Sequence, residues 1–160
     1  MSKLLMPKID RKIISKKNII IKNLKKIIKS ENILDHEDQV KPFETDGLSA
    51  YKQKPMAVVF PENTKEVSEI LSFCNNEKIK IVPRGAGTGL SGGALPLADS
   101  ILLSLGKFNK ILDIDYKNRC VVAQPGVTNL GITQAVEDKN FYYAPDPSSQ
   151  IACTIGGNVA

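Results

Sequence analysis

The residues of this chain best suited to chemistry are Pro83-Arg84-Gly85-Ala86-Gly87-Thr88-Gly89-Leu90-Ser91-Gly92-Gly93, five of the eleven being glycine. Glycine lets a ligand approach the main chain with no Cβ in the way. Successive bare N–H groups in such a loop form an anion-binding concavity suited to a phosphate or pyrophosphate. Arg84 adds a fixed cation at the mouth of this loop, and Thr88 and Ser91 add hydroxyl donors. The expected ligand is a phosphorylated cofactor or nucleotide.

Two glycine motifs can be tested against this stretch. A P-loop closes with Gly-Lys-Ser/Thr, whereas Gly92-Gly93 is followed by Ala94. Gly87-x-Gly89-x-x-Gly92 matches the dinucleotide fingerprint, and Asp113 stands where a ribose ligand would be expected. That fingerprint must open a long helix facing the pyrophosphate. Here Ala94-Leu95-Pro96-Leu97-Ala98-Asp99-Ser100 follows, proline-interrupted and too short before the next strand. Neither motif fits.

The elements that must position the loop can be read on either side of it. Met56-Ala57-Val58-Val59-Phe60 is a buried-type strand between prolines. Asn63 with Glu66 forms a capping-box pair opening a helix to about Glu77, which should bury Val67, Ile70, Leu71 and Cys74. Ile79-Lys80-Ile81-Val82 then delivers the chain to the glycines, completing a βαβ unit with parallel strands and the loop at a strand's C-terminal end. Beyond the loop come three short strands, Ile101–Leu105, Ile111–Asp115 and Cys120–Ala123, with a hairpin turn over Tyr116–Arg119. A helix is expected from Asn129 to about Asp138. The fold class is α+β, two small lobes with the ligand between them. Residues 1–43 form a basic arm and helix, and 44–160 the ligand-binding domain.

The 160 residues carry a formal net charge of +5, but the distribution is one-sided. Residues 1–30 hold ten Lys/Arg and one Asp, leaving the remainder at net −4. Residues 1–16 read as irregular. From Lys17 to Lys29, Ile20, Leu24, Ile27 and Ile28 line one helical face and Lys22, Lys25, Lys26 and Lys29 the other. Such a helix packs on its own domain or lies on an anionic membrane, and the first is expected. No basic stripe with interleaved aromatics marks a nucleic-acid partner. Cys74, Cys120 and Cys153 show no CxxC pair, which argues against a zinc site and for a reducing compartment. No metal site and no membrane-spanning run are expected. The expected location is cytoplasmic, with peripheral attachment to the inner face of the membrane as the variant. Glu31–Lys54 reads as a polar connector containing His36, the single histidine.

A second unusual stretch is Ala144-Pro145-Asp146-Pro147-Ser148-Ser149-Gln150, a rigid polar turn, followed by Thr154-Ile155-Gly156-Gly157-Asn158. Pro83–Thr88, Gly92-Gly93, Pro145–Ser149 and Thr154–Asn158, in this order, resemble the FAD-binding domain of the PCMH/vanillyl-alcohol-oxidase superfamily. Within it the resemblance is nearest to the FAD subunit of glycolate oxidase and its D-lactate dehydrogenase relatives. Asp46-Gly47-Leu48-Ser49-Ala50-Tyr51 and Gln124-Pro125-Gly126-Val127 are also similar to that group.

The resemblance implies a PCMH-type fold whose second lobe is incomplete here, the chain corresponding to the first part of such an enzyme. It implies that Arg84, Gly85, Ala86, Gly87 and Thr88, with Gly92 and Gly93, hold the FAD pyrophosphate. Pro145, Asp146, Ser148, Ser149, Thr154, Gly156, Gly157 and Asn158 would line the flavin side. It implies hydride transfer from a 2-hydroxy acid to flavin, with the catalytic base and the substrate ligands in a cap domain beyond Ala160. His36 lies outside every cofactor motif, so FAD is expected to bind non-covalently. Two alternatives stay open: a non-catalytic FAD- or nucleotide-binding module that needs a partner chain, and a degenerate truncated product.

Overall fold

The computed structural model describes residues 7–160, which form two sheets with helices against them. The elements of the first part are α1 (Arg11–Ser15), α2 (Lys17–Ile27), β1 (Ile33–Leu34), α3 (Glu37–Val40), β2 (Ala57–Val59), α4 (Thr64–Asn76), β3 (Lys80–Arg84) and β4 (Ser100–Ser104). The second part contains β5 (Ile111–Asp115), β6 (Cys120–Ala123), α5 (Asn129–Val136) and α6 (Ile155–Val159). The first sheet has the order β1-β2-β4-β3, with β1 antiparallel and the other three parallel. The second is the β5–β6 hairpin.

Every residue of β2 and β4 is buried, as expected of parallel strands covered on both faces. Successive side chains alternate between those faces. Ala57, Val59, Ile101 and Leu103 share one cluster with Ile20, Ile21 and Leu24 of α2 and Ile70 and Cys74 of α4. Val58 and Leu102 point the other way, to Val40 of α3, Phe43 and Phe60. Cys74 is a core residue, and burial pushes its thiol up to about 12. The larger cluster runs from Ile13 to Leu103. The isoleucine face of α2 is therefore satisfied within the protein, while Lys22, Lys25 and Lys26 are exposed.

Several local expectations change. Residues 11–15, read as irregular, form α1 because the Asp10 carboxylate caps the N–H groups of Lys12 and Ile13. The stretch read as a polar connector contains β1 and α3, β1 being too short to show a period. Leu71, expected in the core, is 46% exposed, since α4 turns only its Ile70–Cys74 edge fully inward. The Asn63–Glu66 capping pair forms as expected, Asn63 Oδ1 accepting from the Glu66 N–H at 2.9 Å.

β2 and β3 are parallel but not neighbours, because β4 inserts between them. The chain must return from the end of β3 to the start of its parallel neighbour β4, a step that needs a crossover of a dozen or more residues. Usually a helix makes it. Here residues 85–99 do so without one, so the glycine run is the crossover itself. Its far end is anchored by buried Asp99, which accepts from Lys80 Nζ at 2.8 Å and from the Asp10 N–H at 2.7 Å.

A polar clasp closes the opposite edge of this lobe. Glu62 accepts from Lys29 at 2.9 Å, Lys107 at 2.9 Å and Asn32 at 3.1 Å, and these bonds hold its carboxyl down to about 2. A depressed folded-state pKa contributes stability above the ordinary value of 4.5, and that stability is lost as the pH falls toward 2. Melting curves of the wild type should therefore fall more steeply between these two pH values than those of Glu62→Gln. The curves should converge at the acid end.

Candidate functional site

The crossover is built to present bare backbone. None of the N–H groups of residues 86–94 donates a hydrogen bond among the described residues. Gly87 and Gly92 adopt φ of 74° and 76°, the left-handed region that glycine enters without strain. Among the described residues, a Cβ built on Gly89, Gly92 or Gly93 would meet nothing within 4 Å. Ala86 is exposed, and Thr88 half-buried.

Arg84 does not stand free at the mouth of the loop. Its guanidinium turns beneath the crossover, where Nη1 donates to the Thr45 carbonyl at 2.7 Å and reaches the Ala94 carbonyl at 3.5 Å. It lies 5.7 Å from the centre of the Phe43 ring. A Cβ on Gly87 would collide with the guanidinium, so the loop is wound around this side chain. Burial pulls the Arg84 pKa below its usual value, and the Asp46 carboxylate opposes that pull. The arginine thus joins both limbs of the crossover to residues 43–46 and leaves a cation under the row of N–H groups.

The segment behind the loop carries residues that sequence reasoning did not assign to the site. Phe43 and Thr45 receive Arg84, while a Cβ on Gly47 would come within 2.6 Å of the Thr88 carbonyl oxygen. Buried Asp46 accepts from the Leu48 N–H through Oδ1, and Oδ2 has no partner among the described residues. The available signal was Gly47 in the Asp46–Tyr51 stretch already noted for its resemblance, since glycine permits a close backbone approach.

The second glycine stretch is not a loop. Thr154 precedes α6, which contains both Gly156 and Gly157. A Cβ on Gly156 would strike Pro125, and its N–H donates to the Pro125 carbonyl at 2.9 Å. The protein's own packing therefore accounts for that glycine. Gly157 and Asn158 are exposed. The segment after the Pro145–Ser149 turn is tied to the start of α5: the Leu130 N–H donates to the Gln150 carbonyl and the Asn129 N–H to the Cys153 carbonyl, while the Cys153 N–H closes the turn onto Ser149. Asp146 accepts from the Gln150 side chain, and Pro145 and Ser148 are exposed.

The two motifs meet at one point. Thr154 lies against Gly85, and a Cβ at Gly85 would collide with the Thr154 hydroxyl. That hydroxyl is buried without a partner among the described residues, as are both polar side-chain atoms of Asn129, the fully buried first residue of α5. Sequence reasoning took Asn129 only as a helix start, and nothing in its neighbours marks it as buried. Gly85→Ala should cost about 1–3 kcal/mol by overpacking. Urea unfolding of the Gly85→Ala/Thr154→Ala double variant should recover most of that loss.

A separate cavity of about 690 Å³ lies in the second part of the chain, lined by Ile114, Tyr116, Val121, Ile132, Phe141 and Tyr143 among others. It is not at the crossover. His36 is exposed and belongs to the α3 cap, 3.6 Å from Asp35. Among the described residues there is no cluster suited to a metal ion and no helix long and apolar enough to cross a membrane.

The row of unpaired N–H groups, the cation beneath it and the orphaned Thr154 hydroxyl fit a diphosphate-bearing cofactor. Comparison with known proteins identifies which one. The FAD binding domain family matches residues 55–160. Glycolate oxidase subunit GlcD of Escherichia coli is 48% identical over 155 residues, an alignment that covers 97% of this chain and 30% of that protein. The D-lactate dehydrogenase of Anaerostipes hadrus is 38% identical, with 84% of this chain and 28% of that protein covered. Among solved structures, 4-ethylphenol oxidase from Gulosibacter chungangensis superposes with a TM-score of 0.77 at 26% identity, over 97% of this chain and 30% of that one. The p-cresol methylhydroxylase structure gives a TM-score of 0.79 at 23% identity over 91% of this chain and 29% of that one, a likeness of fold. This chain spans 24–30% of the length of the curated relatives it matches. With its α+β fold and its glycine crossover, the chain belongs to the FAD binding domain family, and FAD is its cofactor.

Proposed function

We propose that this chain is the cofactor-binding part of an FAD-dependent oxidoreductase acting on a small 2-hydroxy acid of the glycolate or D-lactate type. The observation that carries the reading is the 48% identity to a glycolate oxidase subunit across nearly the whole chain. Bound FAD would supply a two-electron acceptor for the hydride leaving the substrate's α-carbon. The chain's own residues bind and orient. The N–H groups of Gly85–Thr88, Gly92 and Gly93 take the diphosphate oxygens, and Arg84 supports them from below with its charge. The Thr154 hydroxyl would donate from the point where the two motifs meet, against Gly85. Pro145, Asp146, Ser148, Ser149, Gly156, Gly157 and Asn158 form the flank toward the flavin. Binding is non-covalent.

The catalytic base and the groups that hold the substrate carboxylate belong, in this reading, to a cap domain outside these residues. A chimera tests it. This chain is fused to the remaining part of the Escherichia coli subunit, loaded with FAD, and mixed anaerobically with glycolate or D-lactate. Bleaching of the flavin band by either acid is expected. A chimera that holds flavin and stays oxidised with both would overturn the reading.

A second reading, a flavin-binding module that works through a partner subunit, is favoured by β5 and β6. Their two-stranded sheet has open edges beside the apolar cavity, with Leu112 and Val122 more than half exposed. Flavin retention that requires a second chain would select it.

A further inference from the structure

The basic N-terminal arm is more than a solvated helix face. Lys8, Arg11, Lys12, Lys16, Lys22, Lys25 and Lys26 are all exposed, and none of them forms an ion pair among the described residues. The one acid of this segment, Asp10, is engaged in capping α1. Three isoleucines stand among these cations and face outward: Ile9 is 50% exposed, Ile14 38% and Ile19 63%. They are not spare core residues, because the inward face of the same segment is already filled by Ile13, Ile20, Ile21 and Leu24. On α2, Ile19 precedes Lys22 by three residues and Lys26 by seven, so all three share one side of the helix.

A surface that offers exposed branched aliphatics between unpaired cations fits a partner with anionic groups outside and hydrocarbon just beneath. We infer that the outward face of α1 and α2 docks on a bilayer bearing anionic lipid headgroups. The lysines would meet the headgroups and Ile9, Ile14 and Ile19 would enter the acyl boundary. The charge distribution supports the orientation: residues 1–30 carry net +9, and the rest of the chain carries net −4. An anionic surface attracts the arm and repels the body. A nucleic acid is a poorer match, because residues 7–29 contain no aromatic side chain on which bases could stack. This docking is independent of the flavin reading and concerns a different face.

The experiment is co-sedimentation of the 160-residue chain with vesicles of phosphatidylcholine, with and without about one third phosphatidylserine, at low and raised salt. Binding only to the anionic vesicles, weakened by salt, is expected. Each lysine near such a surface is worth roughly fivefold in partitioning, so Lys22→Gln/Lys25→Gln/Lys26→Gln should bind about a hundredfold more weakly. Ile19→Ser, with no change of charge, should lose about tenfold. Both variants change exposed residues only, so their melting temperatures should match the wild type. Failure of the wild type to sediment with anionic vesicles overturns the proposal, as does an unchanged affinity of the triple variant. Tighter binding to a single-stranded oligonucleotide, with Ile19→Ser indistinguishable from wild type, would also overturn it and mark a polyanion site.

Discussion

Arg84→Ala is expected to lower the affinity for FAD about a hundredfold while leaving most of the protein folded. The guanidinium donates to the Thr45 carbonyl at 2.7 Å and sits 5.7 Å from the Phe43 ring, both beneath the crossover. A charged hydrogen bond contributes about 1.5–3 kcal/mol and a partly desolvated cation–π contact about 1 kcal/mol. Removing them releases a loop whose N–H groups have no partners of their own to hold their directions. The first sheet does not depend on this side chain, since its clusters lie on residues from α2, α4, β2 and β4. Arg84→Lys should restore only part of the affinity, because an ammonium keeps the charge but not the planar guanidinium that packs against the Phe43 ring. Flavin fluorescence titration measures both. An Arg84→Ala variant with wild-type affinity would remove the arginine from the site.

Gly126→Val should act in the opposite sense, on stability before binding. A Cβ at this position would press into the Leu105 carbonyl and lie 2.7 Å from the Phe108 carbonyl oxygen. The Gly126 N–H also donates to Phe108 at 2.7 Å. Both obstacles are backbone, at the point where the chain leaving β6 crosses the chain leaving β4. Overpacking of this kind costs about 3 kcal/mol, which for a domain of this size lowers the melting temperature on the order of 10 °C. Gly93→Val provides the contrast. Nothing lies within 4 Å of a Cβ there, so its melting temperature should stay near wild type while its flavin affinity falls. Thermal melts paired with flavin titrations separate the two effects.

These expectations show which parts of the protein were legible in the sequence. The cap at Asn63, the strand before the glycines and the hairpin over Tyr116–Arg119 are local devices, and each formed as read. The position of β4 between β2 and β3 was not legible, because strand order is fixed by the packing of both faces and not by any one segment. For the same reason the lack of a helix after the glycines could be read, but not that the glycine run itself is the crossover. In β5 a register shift between Ile111 and Asp113 breaks the simple alternation expected there. Within the candidate site, the glycine runs announced themselves by composition. The burial of Asn129 did not, and neither did the turn of Arg84 toward Thr45. Both depend on contacts between residues far apart in the chain.

A flavin site at the crossover from β3 to β4 is the proposal on which the other expectations rest. The most direct measurement is to add FAD to the purified 160-residue chain, pass it through a desalting column, and record the visible spectrum and the far-ultraviolet circular dichroism of the protein fraction. A folded protein that carries a flavin band, and loses it on Arg84→Ala or Gly87→Val, is expected. A folded, soluble and colourless wild-type fraction would contradict it.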